Sequence, residues 1–319
     1  MDYLNIVIVI LLAFMVTVIA TAILIPYLRR QAGQNIREDG PQAHLSKAGT
    51  PSMGGIAIVA GITLGSLVGG YFGHATLIML AGLFIFGGVG FLDDYLKVIK
   101  KQNEGLRVKP KFAWQLIGAI ALAVYVGYVS GIGTEIYIPF WGHYVDFGIW
   151  YVPFVTFTIV AMVNAVNLTD GLDGLAAGVT TITSGAMLFI AAGVGMRPAI
   201  GYLGAMIGAC LGFLVFNHNP AKIFMGDTGS LALGGALTIA AVVMKMEFFL
   251  PLVGLIYVFE ALSVVMQVGY FKATHGKRIF KMAPLHHHFE LSGMSEKQVV
   301  AMFWAFTLLC SILGCVVAP

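Results

Sequence analysis

Charge is what this chain has least of. Only 10% of its 319 residues are Asp, Glu, Lys or Arg, while 59% are hydrophobic and the mean hydropathy is +0.90. A soluble domain carries about 25% charged residues, so there is too little charge here to cover a water-facing surface. Cysteine is nearly as scarce: Cys210, Cys310 and Cys315 all fall inside apolar runs and no CxxC pair occurs. That excludes a disulfide framework and gives no support to zinc or redox chemistry. The first apolar run has no basic residue ahead of it and no small-residue cleavage site behind it, so it reads as a retained span rather than a signal peptide. There is no GxxxxGK[ST] phosphate loop, no repeat between halves and no coiled coil.

What is present is lipid-soluble sequence from end to end. A bilayer crossing takes about 20 apolar residues, and ten such runs are expected: Tyr3–Tyr27, Met53–Phe72, Thr76–Asp93, Phe112–Ser130, Ile149–Val166, Leu175–Val194, Ile200–Phe216, Ser230–Met244, Phe249–Phe271 and Val299–Val317. The fold class is therefore an all-α polytopic membrane protein, with residues 1–319 forming one membrane domain. Segment 131–148, with Ile136-Tyr137-Ile138 and Tyr144-Val145-Asp146 around Pro139–Gly142, reads as a small external β-hairpin. Of the 18 basic residues, all but Arg197 and Lys245 fall in loops on one side. The excess of Lys and Arg in cytoplasmic loops makes that side the cytoplasm and puts both termini outside. Gly61, Gly65 and Gly69 form a small-residue stripe on the second span. It admits a homodimer interface or tight packing on a neighbouring span, and a ten-helix bundle favours the second.

Acidic, glycine-rich and histidine-rich motifs gather on the cytoplasmic side. Asp93-Asp94 ends the third span, where paired carboxylates are costly unless a cation meets them. Adjacent helical residues point about 100° apart, so one faces the site and the other holds a neighbouring cation or Lys. In Asn167-Leu168-Thr169-Asp170-Gly171-Leu172-Asp173-Gly174 the two aspartates share a face if the turn is helical, and no Lys or Arg accompanies them. Gly226-Asp227-Thr228-Gly229-Ser230 runs straight into an apolar helix, whose free N–H groups suit phosphate oxygens while Asp227 suits a bridging Mg²⁺. Pro284 precedes His286-His287-His288, whose spacing is poor for zinc and better suited to hydrogen bonding or protonation against phosphate. The basic loop from Lys97 to Lys111 serves orientation and could also bind anionic headgroups. Glu260 is the one carboxylate inside a span, placed either on a lipid-phosphate groove or against a neighbouring helix. Together these loops suit Mg²⁺-dependent chemistry on a diphosphate with one substrate held in the lipid.

These motifs, with Lys47, Gly49-Thr50-Pro51-Ser52-Met53-Gly54-Gly55, Phe216-Asn217 and Phe224, resemble the polyprenyl-phosphate N-acetylhexosamine-1-phosphate transferase superfamily over essentially the whole chain. The Pro284–His288 segment is similar to the branch that uses MurNAc-pentapeptide donors rather than GlcNAc. The resemblance implies transfer of phospho-MurNAc-pentapeptide from UDP-MurNAc-pentapeptide to undecaprenyl phosphate, with release of UMP, on a ten-span fold with Mg²⁺. It makes Asp227 the metal ligand, Asp93 the base for the lipid phosphate and Asp94 its support, with His287 also in the catalytic group. It puts Asn167, Leu168, Asp170, Asp173, Asn217, Phe224, Gly226 and Ser230 around the nucleotide or a neighbouring ligand, Phe224 stacking on uracil. Lys47, Ser52, Lys109, Gln267, His286, His287 and His288 approach the diphosphate and sugar. No nucleic-acid partner is expected. A GlcNAc-1-phosphate transferase is the nearer rival. A secondary transporter is the rival of another class, opposed by the clustering of acidic motifs at one surface rather than at mid-bilayer.

Overall fold

The computed structural model describes residues 3–31, 49–68, 72–100, 102 and 105–319. In chain order the elements are α1 (Tyr3–Gln31), α2 (Gly55–Val68), α3 (His74–Asp94), α4 (Val108–Val124), strands β1 (Glu135–Ile138) and β2 (His143–Asp146), then α5 (Tyr151–Thr169), α6 (Leu175–Gly193), α7 (Arg197–Asn217), α8 (Gly226–Val243), α9 (Phe249–Val253), α10 (Leu255–Ala273), α11 (Leu285–Glu290) and α12 (Glu296–Val316). Helices α3 and α4 each run on through a π-helical turn, Tyr95–Ile99 and Tyr125–Val129.

Among the described residues, nine helices are long and apolar enough to cross a membrane, which makes the chain an integral membrane protein. The expected second span appears as Gly55–Val68, 14 residues long. The expected span Phe249–Phe271 is broken into α9 and α10 at Gly254, where the Tyr257 ring packs so closely that a Cβ would lie 2.9 Å from it. The hairpin is present: β1 and β2 pair antiparallel with Glu135 opposite Asp146 and Ile138 opposite His143.

Helix α8 is the axis of the bundle, for every residue from Thr228 to Val243 is buried. A helix apolar on all sides belongs at the centre of such an assembly. In contrast, α1 and α10 are mostly unburied by the rest of the bundle and present side chains such as Leu11, Ile23, Val265 and Met266 to lipid. Glycine sets how closely the helices approach. A Cβ on Gly65 would lie 2.9 Å from both Ala13 and Ala205, and one on Gly61 would lie 2.9 Å from the Ala13 carbonyl. The stripe on α2 is thus used inside the bundle, against α1 and α7; Gly69 lies outside the described residues.

The end of the bundle that carries the hairpin holds an unpaired acid. Glu247, between α8 and α9, is 1% exposed and neither carboxylate oxygen has a hydrogen-bond partner. Burial pushes its carboxyl up to about 8, with Lys245 opposing weakly. Because the folded chain holds this proton more tightly than the unfolded one, stability is fullest below the ordinary carboxylate value near 4.5 and falls as pH rises towards 8. Glu247→Gln is expected to abolish that decline. Melting temperatures of the two proteins between pH 5 and 9 check this: relative to the variant, the wild type should lose stability steadily as pH rises from 5 to about 8 and no further above it.

Candidate active site

The opposite end of the bundle gathers the acidic motifs. Asp93 and Asp94 arrive at the end of α3, and Asp227 in the first turn of α8. One carboxylate oxygen from each of the three lies within 4.8 Å of the others. Helices α3 and α8 come this close because Gly90 packs on the Asp227 backbone, where any Cβ would overlap it.

The two adjacent aspartates do different work, as their angular offset on α3 requires. Asp94 is 3% exposed and spends both oxygens on the start of α8. Oδ1 accepts the Asp227 N–H at 3.1 Å, while Oδ2 accepts the Thr228 N–H at 2.8 Å and the Thr228 hydroxyl at 2.6 Å. A carboxylate there satisfies free helix donors and complements the helix dipole. Asp93 instead faces the cluster: it pairs with Lys97 one turn on, and its Oδ1 accepts the Leu106 N–H at 2.7 Å. Lys97 Nζ lies 3.1 Å from Asp227 Oδ2, and Lys111 Nζ lies 2.7 Å from the same atom. Asn167 at the end of α5 donates to Asp227 Oδ1 and to Ser230 Oγ, both at 2.8 Å. The two ammonium groups thus face Asp93 and Asp227, with Asp94 behind them on the start of α8. Hard oxygen donors this close together could hold a divalent cation.

Neighbouring loops brace this centre. The Pro51–Gly55 segment pairs with Phe224–Met225: Phe224 N donates to Pro51 O at 2.8 Å, and Gly54 N to Phe224 O at 2.9 Å. Gly226 has φ +73°, and a Cβ on it would sit 2.6 Å from Asp94 Oδ2 and 2.8 Å from Ser52 Oγ, so only glycine suits this turn. The Ser52 hydroxyl is buried without a partner. The Phe224 ring is half-buried, as are Leu168 and Asp170. Burial pushes the Asp170 carboxyl well above the usual carboxylate range, reinforced by the negative charges of Asp227, Asp94 and Asp173.

Other expected site residues are occupied as braces. Asp173 Oδ2 accepts from Asn219 at 3.2 Å and from the Ala221 N–H at 3.0 Å, and Glu296 Oε1 accepts the Asp173 N–H at 2.7 Å. Asn217 accepts the Gly174 N–H at 3.0 Å and donates to Ile223 O at 2.9 Å. Gln267 accepts from the Ile279 and Phe280 N–H groups, both at 3.0 Å, and donates to Phe280 O at 2.9 Å. The three histidines diverge. His286 is buried and bonded to Glu260, His287 Nδ1 lies 3.0 Å from Glu290, and His288 Nδ1 accepts the Lys281 N–H at 3.1 Å.

One expected lysine lies outside the described residues and another stands away from the cluster. Lys47 lies outside the described residues. Lys109 is exposed, and the lysine whose ammonium meets the carboxylates is Lys111. Both sit in the first turn of α4, and residues two apart on a helix point about 200° apart, so they cannot face the same centre. Lys97 was missed as a site residue, although its position four residues after Asp93 put it on the same helix face.

A membrane bundle that gathers lysine-compensated carboxylates at one end defines an integral membrane protein with an acidic cluster that could hold a metal ion, and its sequence places it more narrowly. The profile of glycosyl transferase family 4 matches residues 76–245, just over half the chain, and the phospho-N-acetylmuramoyl-pentapeptide-transferase signature 1 matches residues 47–59. The phospho-N-acetylmuramoyl-pentapeptide-transferase of Caldanaerobacter subterraneus subsp. tengcongensis is 49% identical over 300 residues, covering 94% of each chain. Those of Heliobacterium modesticaldum and Listeria monocytogenes are 49% and 46% identical, over 92% and 96% of each chain. The chain belongs to the phospho-N-acetylmuramoyl-pentapeptide-transferase family.

Proposed function

We propose that Asp93, Asp94 and Asp227 form the reaction centre at which this transferase moves phospho-MurNAc-pentapeptide from UDP-MurNAc-pentapeptide to undecaprenyl phosphate, releasing UMP. The product is the first membrane-bound intermediate of peptidoglycan. The observation that carries the assignment is the meeting of three carboxylates with Lys97, Lys111 and Asn167 at one mouth of a membrane bundle. The bundle has ten spans with α2 as the short one, lies in the cell membrane, and turns this mouth to the cytoplasm, where the nucleotide donor is found.

An attacking phosphate and a diphosphate repel each other, so positive charge at the centre must offset the repulsion during transfer. Lys97 and Lys111 supply two such charges. Asp227, with Asp93 beside it, would hold Mg²⁺, since one oxygen of each lies within 4.8 Å of the other. When bound, the ion neutralises the diphosphate and the leaving UMP phosphate. Asp94 fixes where Asp227 stands. Asp93 takes the proton of the lipid phosphate, and attack on the donor's β-phosphorus is direct. Asn167, Ser230, Gly226, Phe224 and Asp170 surround the donor, with the Phe224 ring against uracil. His286, His287 and His288 approach sugar and diphosphate.

Purified protein supplied with Mg²⁺, undecaprenyl phosphate and each UDP-sugar in turn should release UMP only with UDP-MurNAc-pentapeptide. Release with UDP-GlcNAc instead would move the chain to the sister activity, and no release from any donor would remove the transferase assignment. Lys111→Ala is expected to lower turnover by about 100-fold, the scale of one lost preorganised charge. Lys109→Ala should stay within about twofold, as exposed substitutions do. Equal losses for the two would detach the acidic cluster from the chemistry. For orientation, a cysteine in place of exposed His143, in a protein without its three native cysteines, should react with a membrane-impermeant maleimide added to intact cells. Labelling only after the cells are broken would reverse the topology.

A further inference from the structure

Glu260 and His286 form a closed pair that the reaction centre leaves unexplained. Glu260 stands on lipid-exposed α10 yet is 0% exposed, and His286 on α11 is 1% exposed. Oε2 of Glu260 bonds to the ring Nδ1 of His286, and Oε1 accepts the His286 backbone N–H at 3.1 Å. One carboxylate thus grips the histidine at ring and backbone together. A carboxylate accepting at Nδ1 puts the ring proton there and leaves Nε2 as the open valence. That atom is buried and has no hydrogen-bond partner. It points at Gly171, in the middle of the acidic turn that follows α5: a Cβ on Gly171 would overlap Nε2 and lie 2.7 Å from Cε1. The His287 ring lies tilted against it, with 4.1 Å between ring centroids.

We infer that Glu260 is a positioning residue for the transfer, holding the His286 ring so that Nε2 is presented to the donor at the Asp170–Gly174 turn. The inference rests on the reading that this turn belongs to the donor site. Burying a carboxylate within the membrane-facing helix is costly, and a plain helix-to-helix tie could use a neutral group at lower cost. The two-point grip supplies what a neutral tie does not, a single ring orientation and a single tautomer. It also explains the glycine at 171, since any side chain there would push the ring aside.

A double-mutant cycle tests the role. Carboxylates that orient a working histidine typically contribute about 10–100-fold. Glu260→Gln is therefore expected to lower kcat by that factor, with KM for the UDP donor within about twofold and the protein as heat-stable as wild type. Glu260→Asp, which keeps the charge, should recover part of the loss. His286→Asn should lower kcat at least as far, and the double variant should fall no further than His286→Asn alone, because Glu260 would act only through that ring. Losses that multiply in the double variant would overturn the inference, as would wild-type kcat in Glu260→Gln. Wild-type kcat in His286→Asn would overturn it together with the placing of His286 in the donor site. An inactive His286→Asn beside a fully active Glu260→Gln would leave that placing intact and sink the positioning role alone.

Discussion

Asp227→Asn is expected to reduce UMP release by about three orders of magnitude, and extra Mg²⁺ should not restore it. The substitution keeps the size of the side chain and lets Asn167 keep a carbonyl oxygen to bond to. What it removes is charge. In the folded chain Asp227 Oδ2 is the meeting point of Lys97 and Lys111, at 3.1 and 2.7 Å. Without the carboxylate, two ammonium groups face a single remaining partner in Asp93, so the lysines move and the cation loses its principal ligand together. Removing one preorganised charged partner from a shielded site costs about 3–4 kcal/mol of transition-state stabilisation, and here one substitution disturbs three such groups. Turnover measured across a range of Mg²⁺ concentrations, with melting temperature as the control for folding, checks this. Activity within tenfold of wild type would take Asp227 out of the reaction centre.

Much of this centre is legible in the sequence because it obeys local rules. The Asp93-Asp94 offset follows from helix geometry alone, and the structure gives the two residues separate partners as that offset requires. The hairpin, the apolar helices and the inward use of Gly61 and Gly65 were readable for the same reason. What was not legible depends on contacts between distant segments. Whether Lys109 or Lys111 faces the carboxylates depends on the rotation of α4 against α3, which no local pattern specifies. Asp173, in a glycine-rich turn, and Asn217, at the end of α7, have polar atoms that tie two loops together, with Glu296 from α12 arriving 123 positions after Asp173. Glu260 could be seen as exceptional inside a span, but its partner 26 residues on could not be named.

The second large effect belongs to Asp94, and it should act through position rather than by contact with substrate. Three donors converge on its two oxygens: the N–H groups of Asp227 and Thr228 and the Thr228 hydroxyl. Asparagine can offer only one of those oxygens. Its amide nitrogen would point at an N–H that has no other acceptor, in a place 3% exposed. A buried donor left unsatisfied costs about 1–3 kcal/mol, and losing a negative charge at a helix start adds up to ~1 kcal/mol. Asp94→Asn is therefore expected to destabilise the protein by about 2–4 kcal/mol. The first turn of α8 would loosen, and Asp227 with it. Two measurements separate this from a direct role. A positional effect raises the Mg²⁺ concentration needed for half-maximal activity and lowers the melting temperature, yet leaves measurable turnover at saturating Mg²⁺. A direct chemical role would leave melting and Mg²⁺ dependence unchanged and remove turnover at every concentration. The geometry favours the first outcome, because each oxygen of Asp94 is already bonded to the backbone that carries Asp227.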